Sequence, residues 1–119
     1  MKKQYRVKKS KEIEEILKKH CFVSSPYFTI YIKQQNETNH FRYAVSVGKK
    51  IGNAVVRNHI KRQIRAILRK VNVKPNFDVF IIVRGKILEI DFLKMQNEII
   101  KLFQRQKLLV KGENNDSIS

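Results

Sequence analysis

Six residues of one predicted helix carry the side chains best suited to bind a polyanion: Arg57, Asn58, Lys61, Arg62, Arg65 and Arg69. At about 100° per residue they fill one sector about 140° wide, beside the apolar stripe of the same helix. Like charges four residues apart cost roughly 0.2–0.5 kcal/mol per pair in an isolated helix, and no carboxylate is placed to relieve them. A helix that only faces solvent usually mixes its charges, so this cationic edge indicates a phosphate-bearing ligand.

The segment before this helix, residues 48–53, offers further phosphate contacts. Gly48 and Gly52 permit close approach of the backbone, and the N–H groups at a helix start attract anions. Lys49 and Lys50 add positive charge, and Asn53 is a good N-cap. The Gly-Lys-Ser/Thr ending of a nucleotide-binding P-loop is missing. Glycines in such a segment are also typical of a plain turn, so both interpretations stay open.

Residues for protein-based catalysis are scattered. His20, His40 and His59 show no metal-ligand spacing. The cationic edge contains no carboxylate that would hold Mg²⁺ or act as a general base. Asp78 lies in an apolar run, and Asp91 is placed like a helix cap. The sequence therefore predicts no catalytic residue and no metal site in the protein itself.

The overall charge agrees with a polyanionic partner. The chain has 26 Lys and Arg against 10 Asp and Glu, a formal net charge of +16, and no acidic residue lies between Glu37 and Asp78. Such an excess repels itself, and phosphates relieve the repulsion while releasing counterions. Nucleic acid and an anionic membrane surface are the candidate polyanions. A membrane-surface protein needs an apolar face towards lipid, whereas the apolar stripe here is better used as core.

The remaining composition predicts a cytoplasmic protein. Cys21 is the only cysteine, so no intrachain disulfide forms. No apolar run approaches the roughly 18 residues of a membrane helix. The basic start is followed by no apolar segment, as a signal peptide would require. We expect a single domain over residues 1–119, with an ordered core at about 5–110 and a flexible tail at 111–119.

Periodicity and capping residues predict six or seven elements. Helices are expected over about 10–20, 54–71 and 92–107, capped by Ser10, Asn53 and Asp91. Residues 22–34 have β character, with the first strand at about 27–32 and a possible short additional strand at Phe22-Val23, and further strands are expected over 41–48 and 77–83. The strand over 41–48 is predicted to form a hairpin with the first strand. The last is nearly continuous in apolar residues and is expected to be covered on both faces.

The first predicted strand has two distinct faces. Phe28, Ile30 and Ile32 share one face, which suits the core, and Tyr27, Thr29 and Tyr31 share the other. Aromatic side chains beside a cationic surface can stack unpaired bases. The alternative is that these tyrosines cover the core with their hydroxyls in water.

The segment from Lys49 to Arg69, KKIGNAVVRNHIKRQIRAILR, resembles the signature of the bacterial ribonuclease P protein subunit. That family has an Arg-Asn-Arg element followed by Lys-Arg and another Arg on the same helix. The resemblance extends over about residues 5–107. It implies an α+β fold, an αβββαβα two-layer sandwich with helices on a mixed four-stranded sheet. It also implies a left-handed βαβ crossover, as in ribosomal protein S5 domain 2.

The resemblance also implies the function. The family partners a catalytic RNA that carries the active site and its Mg²⁺, and together they remove the 5′ leader of precursor tRNA. The protein binds both RNAs but neither a membrane nor DNA, and alone it should be inactive. The positions that match the RNA-facing signature are Lys49, Lys50, Asn53, Arg57, Asn58, Lys61, Arg62, Arg65 and Arg69. The positions that match the leader cleft are Ile13, Leu17, Thr29, Tyr31 and Ser46.

Two departures from the family pattern are visible. His59 replaces the third residue of the Arg-Asn-Arg element and points away from the cationic edge by its helical angle, so we expect a modest loss. Ile13 and Leu17 stand where many relatives have Phe, which leaves apolar contact instead of stacking.

The rival functions are a ribosomal protein or RNA chaperone, a self-sufficient nuclease, and the membrane-surface protein considered above.

Overall fold

The computed structural model describes residues 10–110. The predicted core boundary at residue 5 and the predicted tail at 111–119 lie outside these residues. The described chain forms α1 (Ser10–Lys18), β1 (Phe22–Ser24), β2 (Phe28–Gln34), β3 (Arg42–Val47), α2 (Ala54–Lys70), β4 (Phe77–Val83), a 3₁₀ helix (Gly85–Glu89) and α3 (Phe92–Arg105). This order confirms the predicted αβββαβα arrangement, including the short first strand.

The four strands form one mixed sheet in the order β1-β2-β4-β3. β1 pairs with β2, and β2 with β4, in antiparallel fashion, whereas β3 and β4 are parallel. The predicted hairpin between β2 and β3 is therefore wrong, because β4 lies between them. As the most apolar strand, β4 gains most from a central position with neighbours on both edges. The β3–α2–β4 crossover is consistent with the left-handed connection that the resemblance implies.

Helices α2 and α3 cover one face of the sheet and enclose the main core. Alternate residues of β2 point into it, with Phe28 and Ile30 fully buried and Ile32 nearly so. Tyr27, which precedes β2, also packs against this core. Its predicted place beside Tyr31 is thus wrong, because the alternation of the strand begins only at Phe28.

Helix α1 lies on the opposite face. Its Ile16 is buried against Phe80 of β4, and Ile13 and Leu17 flank that contact. α1 begins at Ser10 itself, so Ser10 is not the residue before the helix. It ends at Lys18 instead of residue 20, because His20 has a φ of 52°, which continues no right-handed helix.

The caps of the two longer helices are confirmed. Asn53 Oδ1 accepts a hydrogen bond from the N–H of Val56 at 3.0 Å, and Asp91 Oδ1 accepts one from the N–H of Lys94 at 2.9 Å. Each cap satisfies one N–H that the first turn leaves without a partner. They fix where α2 and α3 begin, and α2 carries the cationic edge.

Candidate nucleic-acid interface

The apolar stripe of α2 determines where its cationic edge lies. Ile60, Ile64, Ile67 and Leu68 are buried in the main core, as the periodicity predicts. α2 therefore faces the sheet with one side, and the adjoining sector is turned towards the edge strand β3. Lys70, on the far side of the helix, places its Nζ 5.6 Å from the ring centre of Phe92 at the start of α3.

The cationic edge divides into an inner and an outer row. Arg57, Lys61 and Arg65 are half-buried, whereas Asn58, Arg62 and Arg69 are exposed. Within residues 10–110, no carboxylate oxygen lies within 4.0 Å of any of these five charged side chains. The charge density that the sequence predicts is therefore uncompensated in the fold, and the edge remains attractive to phosphates.

Lys61 and Arg65 form one wall of a cleft of about 380 Å³. The other walls are residues 43–47 of β3, Phe80 of β4 and Ile13 of α1. Arg65 Nε is buried there and has no hydrogen-bond partner. A buried donor without an acceptor is costly.

The five predicted leader-cleft residues lie on one face of the sheet, the face that α1 partly covers. Ile13 and Ser46 line the cleft itself. Leu17 and Tyr31 belong to the apolar cluster that continues from Ile13. Thr29 lies one row further along the same face.

That further row crosses all four strands. Ser24, Thr29, Ile82 and Ser46 are direct neighbours on β1, β2, β4 and β3, so their side chains share a face. The hydroxyl groups of Ser24 and Thr29 form a hydrogen bond, with 3.2 Å between Oγ and Oγ1. The row is partly accessible to solvent and ends at Ser46, beside Lys61 and Arg65. It forms a shallow path across the sheet, lined by three hydroxyl-bearing side chains and the apolar Ile82.

The segment from Gly48 to Gly52 closes the end of this path. The N–H of Ile51 donates to the carbonyl of Gly48 at 3.1 Å, which confirms that the segment is a turn. Lys49 and Lys50 line a hollow of about 450 Å³ that also contains Ser46. The lysines thus extend the positively charged border of the cleft.

Gly52 permits a close approach that a side chain would prevent. A Cβ at this position would lie 2.8 Å from Val56 Cγ1. Its carbonyl oxygen accepts a hydrogen bond from Arg57 Nε at 3.2 Å. The turn therefore orients the first arginine of the inner row.

Sequence reasoning missed two residues on the same face. Phe22 is 48 % exposed, and its ring centre lies 4.9 Å from that of Tyr31. Arg84 Nη1 donates to Ser24 Oγ at 3.1 Å. Both follow from the strand order, since Phe22 is the direct partner of Tyr31 on β1 and Arg84 follows β4. Only the pairing, which periodicity does not report, brings them to this surface.

One basic residue near the cleft, Arg42, does not add to the cationic surface. Arg42 is paired with Glu12 at 2.8 Å and with Asp78 at 2.7 Å, so its charge is compensated within the protein.

In the part of the chain that the structure describes, no three His, Cys, Asp or Glu side chains are grouped to hold a metal ion. Over the same residues, no helix has the length and apolar character needed to cross a membrane.

Comparisons with known proteins agree with this arrangement. A family model described as Ribonuclease P matches residues 1–107. The ribonuclease P protein component of Mesoplasma florum is 42 % identical over 108 residues, covering 88 % of this chain and 97 % of the relative. That of Exiguobacterium sibiricum is 37 % identical over 107 residues, covering 88 % and 92 %. The solved RNase P protein of Staphylococcus aureus superimposes with a TM-score of 0.81 at 34 % identity, covering 89 % of this chain and 98 % of that one.

Proposed function

The chain belongs to the ribonuclease P protein family, and we propose that its cationic edge and the adjoining cleft hold the catalytic RNA and the 5′ leader of precursor tRNA. As a family member it is the RNA-binding subunit of the ribonucleoprotein that matures the 5′ end of tRNA. The finer assignment, which residue meets which RNA, is the proposal. The observation that carries it is the position of Lys61 and Arg65, which line the cleft without a carboxylate partner among residues 10–110.

Two surfaces with different chemistry support separate binding sites for the catalytic RNA and for the leader. The outer row of α2, with Asn58, Arg62 and Arg69, is exposed and suits the phosphates of a folded RNA. The path across the sheet offers Thr29 and Ser46, and Tyr31 lies one row beside it on the same face. These side chains suit a single strand whose bases are unpaired. The inner row lies between the two and would neutralise both strands where they approach each other. The protein thereby contributes positioning and charge rather than reacting groups.

We propose that the Mg²⁺ ions of the holoenzyme are held by the RNA, and that the protein works in the cytoplasm. No carboxylate lines the cleft among the described residues, and two on the α1 side of the sheet do not offer a suitable ligand set. Glu12 and Asp78 are both paired with Arg42, and the inner row of α2 repels cations. The chain's own contribution to metal chemistry would be indirect, because neutralised phosphates bring the two RNAs together.

Reconstitution with the catalytic RNA at low Mg²⁺ tests the proposal. Adding the protein should raise the rate of leader removal, and Arg65→Ala should reduce the gain. The lost charge-assisted contact corresponds to about 1.5–3 kcal/mol of binding free energy, or roughly ten- to hundredfold in affinity. Lys70→Ala is the matched control, since it removes one positive charge from the opposite side of the same helix.

The rival functions give different results in the same assay. An RNA chaperone or ribosomal protein would add no leader cleavage to the catalytic RNA. A self-sufficient nuclease would cleave precursor tRNA with Mg²⁺ alone, whereas we expect none. Equal losses in Arg65→Ala and Lys70→Ala would show that only total charge matters and would refute the assignment of the cleft.

A further inference from the structure

Helix α1 is attached to the sheet by a small apolar contact. It has nine residues, and Ile16 is the only one of them that is buried. Isolated helices shorter than about 12–15 residues are marginal in water, so α1 depends on what it packs against. Ile16 contacts Phe80, and Ile13 and Leu17 lie at the rim of this contact. This is a modest anchor for an element that forms one wall of the cleft.

A row of charged side chains supplies a second attachment. Lys33, Asp78 and Arg42 are direct neighbours on β2, β4 and β3. The two outer members reach α1. Arg42 Nη1 lies 2.8 Å from Glu12 Oε2, and Lys33 Nζ lies 3.5 Å from Glu15 Oε2. α1 is therefore held at two points, one helical turn apart, by cations that the sheet presents.

The guanidinium group of Arg42 is itself held in a fixed orientation. Its Nε and Nη2 donate to the two carboxylate oxygens of Asp78 at 2.9 and 2.7 Å, and the Asp78 side chain is only 2 % exposed. Nη2 also lies 3.7 Å from the exposed Glu37. Because the group is planar, fixing two nitrogens fixes the third, Nη1, which faces Glu12. The hydrogen bonds with Asp78, and then those with Glu12, raise the pKa of Arg42 above its ordinary value.

We propose that Arg42 is a positioning residue for leader binding, which fixes α1 over the sheet through Glu12 so that Ile13 and Leu17 wall the cleft. This inference rests on the proposed function, since it requires the leader to lie against α1. Arg42 acts without touching RNA, because its charge is shared by carboxylates of the protein. The same pairing neutralises Glu12, whose negative charge would otherwise face the phosphates in the cleft.

The test compares Glu12→Ala with Glu14→Ala. Both variants remove one carboxylate from α1 and introduce the same helix former, but Glu14 is exposed and forms no ion pair within residues 10–110. The first measurement is hydrogen exchange of residues 10–18 in the free protein. The second is the affinity of the reconstituted holoenzyme for precursor tRNA with its leader and for tRNA without one.

We expect faster exchange in α1 of Glu12→Ala and unchanged exchange elsewhere. Apparent affinity falls with the fraction of protein in the competent conformation, so leader-bearing RNA should bind on the order of three- to tenfold more weakly. Leaderless tRNA should bind as to wild type, and Glu14→Ala should change neither measurement. Glu12→Gln keeps an oxygen that can accept from Arg42, so both measurements should lie between those of wild type and Glu12→Ala. If Glu12→Ala fails to fold, Glu12→Gln replaces it in both measurements.

Each other result overturns the inference. Faster exchange with unchanged leader affinity would make α1 docking irrelevant to binding. A leader-specific loss without faster exchange would mean that Glu12 meets the RNA directly. Equal losses for both RNAs, or no change in either measurement, would also exclude a positioning role. If wild type does not distinguish the two RNAs at all, the proposed leader binding itself fails, and that result is separate from the others.

Discussion

Arg42 and Asp78 lie directly opposite each other on the parallel strands β3 and β4 and form a two-pronged ion pair at 2.9 and 2.7 Å. Asp78 is the one charged residue of an otherwise apolar central strand, and it is almost wholly buried. A buried carboxylate is tolerated only where it is paired and hydrogen-bonded. Arg42 satisfies both oxygens, and the same guanidinium continues to Glu12 of α1.

The pair makes a stability prediction. Asp78→Ala leaves Arg42 with only Glu12 and the exposed Glu37 as partners among residues 10–110, so the free energy of unfolding should fall by up to about 3–5 kcal/mol. Equilibrium unfolding in urea measures the loss. Glu37→Ala is the control, because Glu37 is an exposed partner of the same Arg42 and an exposed pair contributes only about 0–1 kcal/mol. Similar small losses in both variants would contradict a structural role for the buried pair.

The close contact between Gly52 and Val56 leads to a second prediction, which concerns stability and RNA affinity. In Gly52→Ala the new Cβ would meet Val56 Cγ1 at 2.8 Å, so the turn or the first turn of α2 must shift. Overpacking of this kind costs about 1–3 kcal/mol of unfolding free energy, and displacement of the Gly52 carbonyl releases Arg57. The midpoint temperature of thermal unfolding and the affinity for RNA should both decrease. Gly48→Ala is the matched control, because no atom lies within 4 Å of a Cβ there.

The helices and strands of this fold were largely predictable from the sequence, whereas the order in which the strands pair was not. Ile60, Ile64 and Ile67 report the buried side of α2 directly, since helical periodicity encodes angle. The alternation in β3 reports which side chains face inward, but it does not name the strand alongside. The order β1-β2-β4-β3 depends on long-range packing, so the expected hairpin was wrong.

The candidate site shows the same limit. The edge of α2 was predicted because all its residues lie within one helix. The sequence gives no sign that the charge of Arg42 is compensated, because its partner Asp78 lies 36 residues away in the chain. Phe22 was overlooked because only the pairing of β1 with β2 places it against Tyr31. Local sequence therefore reports charge and face, and tertiary pairing decides which charges and rings remain accessible.

The uncompensated cations predict a steep dependence of RNA binding on salt. For 6–10 phosphate contacts, affinity should fall on the order of 10³- to 10⁵-fold between 50 and 200 mM salt, because bound phosphates release their counterions. Arg62→Ala removes one exposed cation of the outer row, and the slope of log affinity against log salt should decrease by about 1. Lys70→Ala should leave the slope unchanged. Affinity that is independent of salt would rule out phosphate binding by this edge.

Phe22 predicts a loss of leader binding with little loss of stability. Its ring packs against Tyr31 and is 48 % exposed, so it offers an open face on which an unpaired base can stack. A base stacked on an aromatic ring contributes about 1–3 kcal/mol, which corresponds to roughly 5- to 150-fold in affinity for leader-bearing RNA in Phe22→Ala. The aromatic pair contributes about 0.5–1.5 kcal/mol beyond its buried area, and Phe22 is already half exposed, so the free energy of unfolding should fall by less than the roughly 3–5 kcal/mol of a fully buried Phe.

Phe22→Leu separates stacking from apolar contact, because leucine covers Tyr31 but has no ring. If it binds the leader as weakly as Phe22→Ala, the ring itself is what the base contacts. Leu93→Ala controls for the loss of an exposed apolar side chain, since Leu93 is 62 % exposed on α3, across the sheet from Phe22. Fluorescence anisotropy with leader-bearing and leaderless tRNA provides the measurement. Equal weakening of both RNAs in Phe22→Ala would place the leader elsewhere on the sheet, because stacking on Phe22 affects only RNA that has unpaired nucleotides to reach it.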